Sequence, residues 1–420
     1  MLDIKFIREN PEKVQRGCEK KQVKINIDKL LEVDKRKREV LQALEDIRAQ
    51  KNQASKQIPG MKNNKEKEKI ILQMRELDRN HDRINESLKK IDLKFNQLMK
   101  EIPNLPLEEV PEGKDEKENV VLRKVAEPRK FDFKPKDHLE IGEKLNLIDV
   151  KRAAKTSGTR FGFLKGQAAL LEFALINFGL ELLIKEGFIP VLPPVLMKPE
   201  MMEAMGYVER GGEEIYFLEK DNLFLVGTSE QIIGPMHAGE VFEENELPKR
   251  YVGFSSCFRR EAGSYGKDTR GIFRVHQFDK LEMFSFTLPE KSKEEHQLML
   301  SLEEKLMQAL KIPYQIVQIC AGDLGDPAAA KYDIEAWIPS QKKYRETHST
   351  SNCTDFQARR LNIRYKDGVG RLNFVHTLNG TALAMGRIII AILENYQQKD
   401  GTILLPEALQ KYLSFKAIKA

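Results

Sequence analysis

Cysteine and tryptophan are scarce, with four Cys and one Trp in 420 residues. Cys18, Cys257, Cys320 and Cys353 are scattered without a C-x-x-C pair. This excludes a disulfide framework or a cysteine-rich zinc site and points to a reducing, cytoplasmic setting. Long apolar runs are missing too. Asp3 and Arg8 interrupt the N-terminus before any apolar h-region forms, and the most apolar stretch, 168–184, is broken by Glu172 and Glu181. Neither secretion nor a membrane span is expected. The common nucleotide signatures are also lacking: no G-x-G-x-x-G follows a strand pattern, and Gly263–Asp268 has the wrong glycine spacing and final residue for a P-loop. Cys257 and Cys353 read as buried thiols, and His276 and His376 as core donors as readily as ligands.

What is present is a composition that folds: 41% hydrophobic and 32% charged residues, with 21 Phe. The length predicts two or more domains and at least one large core. The net charge of +6 is unevenly spread, since the first 102 residues carry +8 and the remaining 318 carry −2. A basic N-terminal module on a near-neutral body suggests a polyanion-binding arm, although charge-rich helices also serve simply as solvated faces.

That module carries a heptad. Ile70, Leu77, Ile84, Ile91 and Leu98 recur every seven residues, with Met74, His81, Leu88, Phe95 and Ile102 interleaved. Upstream, Val33, Val40, Ile47 and Ala54 repeat likewise, with Leu30 and Leu44 as partners and Lys37 and Lys51 as polar breaks. Between the two seams lies the helix-breaking stretch Ile58-Pro59-Gly60-Met61-Lys62-Asn63-Asn64. Heptads more often make dimerisation coils, but a Pro-Gly turn near the midpoint predicts an antiparallel hairpin within one chain. At ~1.5 Å per residue its arm would be about 45–50 Å long.

After Ile102, Pro103, Pro106, Pro111 and an acidic cluster end the coil. The expected domains are therefore residues 1–102, the coiled-coil arm, and 103–420. In the second, helices are predicted over 167–186, 292–311 and 380–397. Strands are predicted over 188–192, 223–228, 250–260, 273–287 and 314–319. Hairpin-length connections among them predict an α+β body, an antiparallel sheet with flanking helices.

The richest stretch, 255–286, reads SSCFRREAGSYGKDTRGIFRVHQFDKLEMFSF. A strand ends in Arg259-Arg260-Glu261, a Gly-rich loop carries Lys267 and Arg270, and a return strand places Phe278 and Glu282 on one face, ~13 Å apart. A stacking surface and a carboxylate at that separation could grip both ends of an elongated ligand. On residue types alone an ordinary hairpin with surface arginines remains the alternative. Cations crowded around a turn of small residues favour a phosphate ligand.

This segment resembles motif 2 of the class II aminoacyl-tRNA synthetases and is most similar to its seryl-tRNA synthetase version. Residues 187–194 (GFIPVLPP) resemble motif 1, the dimer element of that class, and 378–397 (LNGTALAMGRIIIAILENYQ) resemble motif 3. Two further seryl-type signatures are Gly227-Thr228-Ser229-Glu230 and the run from Arg345-Glu346 to Asp355–Arg360. With the helical arm, the resemblance covers essentially the whole chain. Threonyl-, prolyl- and glycyl-type enzymes append a domain after motif 3, whereas only 23 residues follow Gln397 here. A carrier-protein ligase would lack the arm. From outside this class, the rival is a coiled-coil nucleic-acid-binding or scaffolding protein.

The resemblance implies a homodimer that activates L-serine with ATP and Mg²⁺ and transfers it to tRNA(Ser), and also to selenocysteine tRNA. It implies that Arg259 clamps the α-phosphate and that Glu261 meets the α-phosphate region or the adenine amino group. Val275 and Phe278 would hold the adenine, with Arg387 on its other face or at the γ-phosphate. Arg260, Thr347 and His348 fall within the implied ATP site, and Glu346 and Ser349 would hold Mg²⁺ and phosphate. Thr228, Glu230, Arg259, Glu282 and Thr381 would contact serine. On the arm, Lys35, Arg36, Arg38, Arg75, Arg79 and Arg83 are the expected RNA contacts. There are departures from the family pattern: Thr347, His348 and Thr350 stand where small residues are usual, Arg260 and Thr381 where serine is common, and Val125-Ala126 in place of an aromatic-glycine pair. His348 is either a surface histidine or a substitution that alters nucleotide contacts.

Overall fold

A computed structural model describes residues 1–60, 63–262 and 270–419. The chain divides into two compact units, one of residues 2–19 and 23–103, the other of residues 1, 20–22 and 104–420.

The first unit opens with two short helices and continues into α1 (Ile27–Gln57) and α2 (Asn64–Lys100). The Asn26 side chain accepts from the Lys29 amide at 2.9 Å and Asn63 from Lys65 at 3.1 Å, so each helix starts on an asparagine cap. Pro59 lies in a short 3₁₀ turn after α1; Met61 and Lys62 of the expected turn fall outside the described residues. The expected seam positions on both helices are sheltered from solvent, and Leu44, Ile47, Phe95 and Leu98 are buried. The polar breaks are answered across the hairpin. Lys37 Nζ lies 2.8 Å from Asp92 Oδ1, and Lys51 pairs with Asp78. The partners step along the two helices by the same interval in opposite senses, as antiparallel register requires. Each pair is worth only ~0.2–1 kcal/mol, but a register slip would leave both lysines facing apolar side chains.

In the second unit, β1 (Val120–Val125) precedes α3 (Gln167–Lys185), β2 (Ile189–Val191) and α4 (Pro199–Met205). Next come β3 (Lys249–Phe258), β4 (Gln277–Thr287), α5 (Ser292–Ala309) and β5 (Tyr314–Gln318). The chain then forms β6 (Ala330–Ile338), β7 (Lys343–Asn352), β8 (His376–Ala384) and α6 (Met385–Asn395). Eight strands make one sheet in the order β1-β5-β6-β7-β8-β4-β3-β2, antiparallel except for β2 beside β3. Helices α3, α5 and α6 contribute to the core cluster with apolar residues of the sheet. By length and composition α3 could cross a membrane. Its Leu171, Leu175 and Leu183, all 0% exposed, instead belong to that core.

Two expectations are corrected, and one element is new. Residues 273–276 do not extend the return strand; the His276 amide donates to Arg160 O at 2.9 Å, outside the sheet ladder. Residues 380–384 are strand rather than helix, because β8 is flanked on both sides by β7 and β4 and the helix begins only at Met385. The β6–β7 hairpin was not anticipated. It alternates Lys331, Asp333 and Glu335 with Tyr332, Ile334 and Ala336, a polar face that hid a central strand.

Candidate active site

The β3–β4 hairpin builds one wall. Phe278 stands opposite Cys257 and Glu282 opposite Gly253, so Phe278, Lys280 and Glu282 follow one another on one face of β4. Burial deepens along that row: Phe278 is half-buried, while Lys280 is 5% and Glu282 1% exposed. Arg259, just past β3, holds its guanidinium 5.2 Å from the Phe278 ring centre. Its Nε donates to Gly227 O at 3.3 Å, and its amide donates to His276 O at 2.9 Å. Glu261 sits in a left-handed conformation, φ 52°, and its carboxylate lies 3.3 Å from Arg274. The anticipated loop cation Lys267 and the rest of residues 263–269 lie outside the described residues.

The opposite wall comes from β7 and the start of α6. Arg387 Nη1 is 3.0 Å from Glu346 O and 3.2 Å from Glu346 Oε1, and its guanidinium lies 5.0 Å from the Phe273 ring centre. Arg345 stacks on the same ring at 4.0 Å. Between the walls is a cavity lined by Arg259, Glu261, Val275, Phe278, Glu346, Thr347, Thr381 and Arg387 among the expected residues. Ile272, Phe273, Arg274, Lys280, Ala384 and Gly386 also line it. Two aromatic rings, each bearing a guanidinium, suit a planar heterocycle with attached phosphates.

Below Lys280 the cavity leads to a polar cluster. Lys280 Nζ lies 2.5 Å from Glu282 Oε2, and Thr381 Oγ1 donates to the same oxygen at 3.1 Å. Burial pushes the Glu282 pKa up and the neighbouring Glu230 adds to this; Lys280 opposes both, leaving it at about 7. Glu230 reaches this neighbourhood on a single helical turn, Glu230–Ile233, and Thr228 lies in the segment just before it. That turn packs tightly on β3 because residue 253 is glycine. A Cβ there would lie 2.5 Å from Ile233 Cδ1 and 2.9 Å from Ser229 Oγ. Tyr207 donates its hydroxyl to Glu230 Oε1.

A one-residue bulge in β7 sorts the ETHS segment. Glu335 faces Glu346, Ile334 faces His348 and Asp333 faces Ser349, which leaves Thr347 as the extra residue. Glu346 and Ser349 therefore lie on one face of β7, but of the two only Glu346 lines the cavity, and the Ser349 side chain hydrogen-bonds with Asp333. His348 falls on the helix side with Ile334, is 1% exposed, and shares a short contact of 2.9 Å with Thr347 Oγ1. The surface-histidine expectation is thus overturned, and the nucleotide-contact alternative is turned away from the cavity. Burial pushes the His348 pKa down to about 3. The Glu346 side chain remains 45% exposed. Surrounding protein raises its pKa, but Arg387, Lys331 and Arg259 outweigh this and hold it at about 2. A carboxylate ionised at every working pH, on the strand face that also carries the Ser349 hydroxyl, is a hard-oxygen donor that fits Mg²⁺ shared with phosphates. Among the described residues no cluster of three or more His, Cys, Asp or Glu forms a closed metal cage. Arg260 is exposed and does not line the cavity; its amide donates to Glu214 O at 2.8 Å.

Sequence reasoning missed Lys280, Phe273, Arg274 and Tyr207. Lys280 was within reach, since it lies between Phe278 and Glu282 at the same two-residue spacing. No local signal marks Tyr207. On the arm, Lys35, Arg36, Arg38, Arg75, Arg79 and Arg83 are all exposed.

Residues 1–106 match the model of the seryl-tRNA synthetase N-terminal domain, and residues 216–396 match that of the tRNA synthetase class II core domain (G, H, P, S and T). A serine–tRNA ligase of Thermobifida fusca is 45% identical over 414 residues, covering 98% of this chain and 97% of the relative. The crystal structure of seryl-tRNA synthetase from Pyrococcus horikoshii complexed with ATP is 40% identical, with a TM-score of 0.93 over 100% of this chain and 99% of that one. A cytoplasmic serine–tRNA ligase from Naegleria fowleri in complex with AMP is 34% identical, with a TM-score of 0.89 and the same coverages.

Proposed function

Because the chain belongs to the seryl-tRNA synthetase family and is a serine–tRNA ligase, we propose that the cavity between Arg259 and Arg387 binds ATP and that the Glu282 cluster below it binds serine. The observation that carries this reading is the row Phe278–Lys280–Glu282, which runs from a stacking surface at the mouth to a buried carboxylate at the floor. Phe278 and Val275 hold adenine, with Glu261 near its amino group. Arg259 grips the α-phosphate, and Arg387 meets the other face of the adenine or the γ-phosphate. Arg260, exposed beside the mouth, contributes positive charge, and Thr347 contributes contact at the wall.

Glu346 and Ser349 would hold Mg²⁺, which when bound neutralises phosphate charge. The serine carboxylate, already ionised, attacks the α-phosphorus in line as the bond to the leaving pyrophosphate breaks, so the reaction needs no general base; orientation and the arginine charges lower the barrier. Thr228 and Glu230 receive the ammonium, and Glu282 with Thr381 receives the hydroxyl. Alanine would leave that buried pair without its hydroxyl partner, a form of rejection that reaches ~10⁴-fold in well-built sites.

The exposed arm cations contact tRNA(Ser) phosphates, with charging of selenocysteine tRNA by the same contacts. Residues Leu170, Phe173 and Ile184 on α3 and Ile189 and Leu192 beyond it are 48–82% exposed, an apolar face that supports a homodimer through the motif 1 region. A cytoplasmic location accords with four free cysteines. The test is ATP–pyrophosphate exchange across amino acids, followed by charging of tRNA(Ser) and selenocysteine tRNA. Exchange equally strong with alanine or threonine would overturn the pocket assignment.

A further inference from the structure

Tyr207 belongs to no motif in the sequence, yet its hydroxyl donates to Glu230 Oε1. We propose that Tyr207 is a positioning residue for serine recognition: its phenol locks the Glu230 carboxylate so that the second oxygen presents to the substrate ammonium. This rests on the assignment of Glu230 to the serine pocket.

The geometry is built for the task. Helix α4 ends at Met205, and Gly206 takes a left-handed conformation with φ 87°. A Cβ at Gly206 would also lie 3.1 Å from the Phe356 ring, so the turn that launches Tyr207 toward Glu230 requires glycine. The segment beyond is pinned by two ion pairs. Arg360 Nη1 lies 2.8 Å from Glu209 Oε1 and Arg210 Nη2 lies 2.7 Å from Asp326 Oδ2. Tyr207 is thus held from both sides, which is what a group orienting another side chain needs.

Its surroundings show that it belongs to the pocket. Burial raises the phenol pKa well above its usual value, and the charges of Glu230 and Glu282 raise it further. Against the carboxylate the phenol therefore acts as a donor only. Glu230 sits on a single helical turn and is 6% exposed. Without the phenol its carboxylate would be free to swing toward Lys280, the cation already bound to Glu282. Tyr207 thereby keeps the two carboxylates apart in role, Glu230 for the ammonium and Glu282 for the hydroxyl.

The experiment is a double-mutant cycle on the full-length enzyme, read by serine-dependent ATP–pyrophosphate exchange. Tyr207→Phe should raise the serine KM about 10- to 100-fold, the range for losing a hydrogen bond to a charged group. Its ATP KM, kcat and melting temperature should stay close to those of wild type. Tyr207→Phe combined with Glu230→Gln should be no worse than Glu230→Gln alone, because the tyrosine acts through the glutamate. A normal serine KM in Tyr207→Phe beside an impaired Glu230→Gln would overturn this proposal alone. So would additive losses in the double variant, or equal rises in both KM values with a lowered melting temperature, which mark a packing role. A normal serine KM in Glu230→Gln would overturn the pocket assignment and the proposal with it.

Discussion

Replacing Arg259 with alanine separates catalysis from stability in this enzyme. Among the described residues the side chain makes a long hydrogen bond, 3.3 Å to Gly227 O, and a ring contact at 5.2 Å to Phe278, besides its longer-range attraction to Glu346. A weak bond and a partly exposed cation–π contact together contribute about 1–2 kcal/mol. For a unit of this size that lowers the melting temperature by only a few degrees, at roughly 2–4 °C per kcal/mol. The kinetic effect is larger. A preorganised donor aimed at charge developing in the transition state contributes about 2.7–4 kcal/mol, a loss of ~10²–10³ in kcat. Serine-dependent pyrophosphate exchange should therefore collapse in Arg259→Ala while the thermal melt hardly moves. Arg259→Lys should recover little, because an ammonium keeps the charge and loses the bidentate fork. Near-normal exchange would refute the phosphate-clamp assignment. A fall in melting temperature on the order of 20 °C, well beyond the ~8 °C upper end of this conversion, would show that the side chain is structural.

Glu282→Gln should raise the serine KM far more than the ATP KM, and equal losses would move Glu282 out of the amino-acid pocket. Because burial lifts the Glu282 pKa to about 7, its carboxylate fills only as pH rises through that value. The wild-type kcat/KM for serine should climb across neutrality, and this limb should flatten in Glu282→Gln. For His348 the shift runs the other way, and it bears on stability rather than activity. Its folded pKa is depressed to about 3, so protons favour the unfolded chain and stability falls as pH drops below about 6.5. Urea titrations of wild type and His348→Gln should diverge by about 2 kcal/mol between about pH 6.5 and 5, whereas parallel curves would mean that His348 protonates freely in the fold. Deleting residues 28–102 and bridging the gap should leave pyrophosphate exchange intact, abolish tRNA charging and flatten the salt dependence of tRNA binding. Normal charging by that variant would make the arm a structural coil only.

The helical hairpin was legible because a heptad is a local period: Ile70 to Leu98 and Leu30 to Leu44 state the sheltered faces, whereas the cross-helix partners of the lysine breaks at 37 and 51 came only with the fold. The β3–β4 hairpin was legible for the same reason, since two-residue alternation puts Phe278 and Glu282 on one face whatever surrounds them. Only the tertiary structure decided the rest. A bulge at Thr347 sets which way His348 points, and it arises from the pairing of β7 with β6 rather than from any residue preference. The Thr381–Glu282 contact joins residues 99 positions apart, and Tyr207 meets Glu230 through a helix end shaped by packing on Phe356. Local periods carry the direction of a side chain within its own element. Which charges it meets depends on strand register and long-range packing, and these set the pKa of Glu282 and the partner of Glu230.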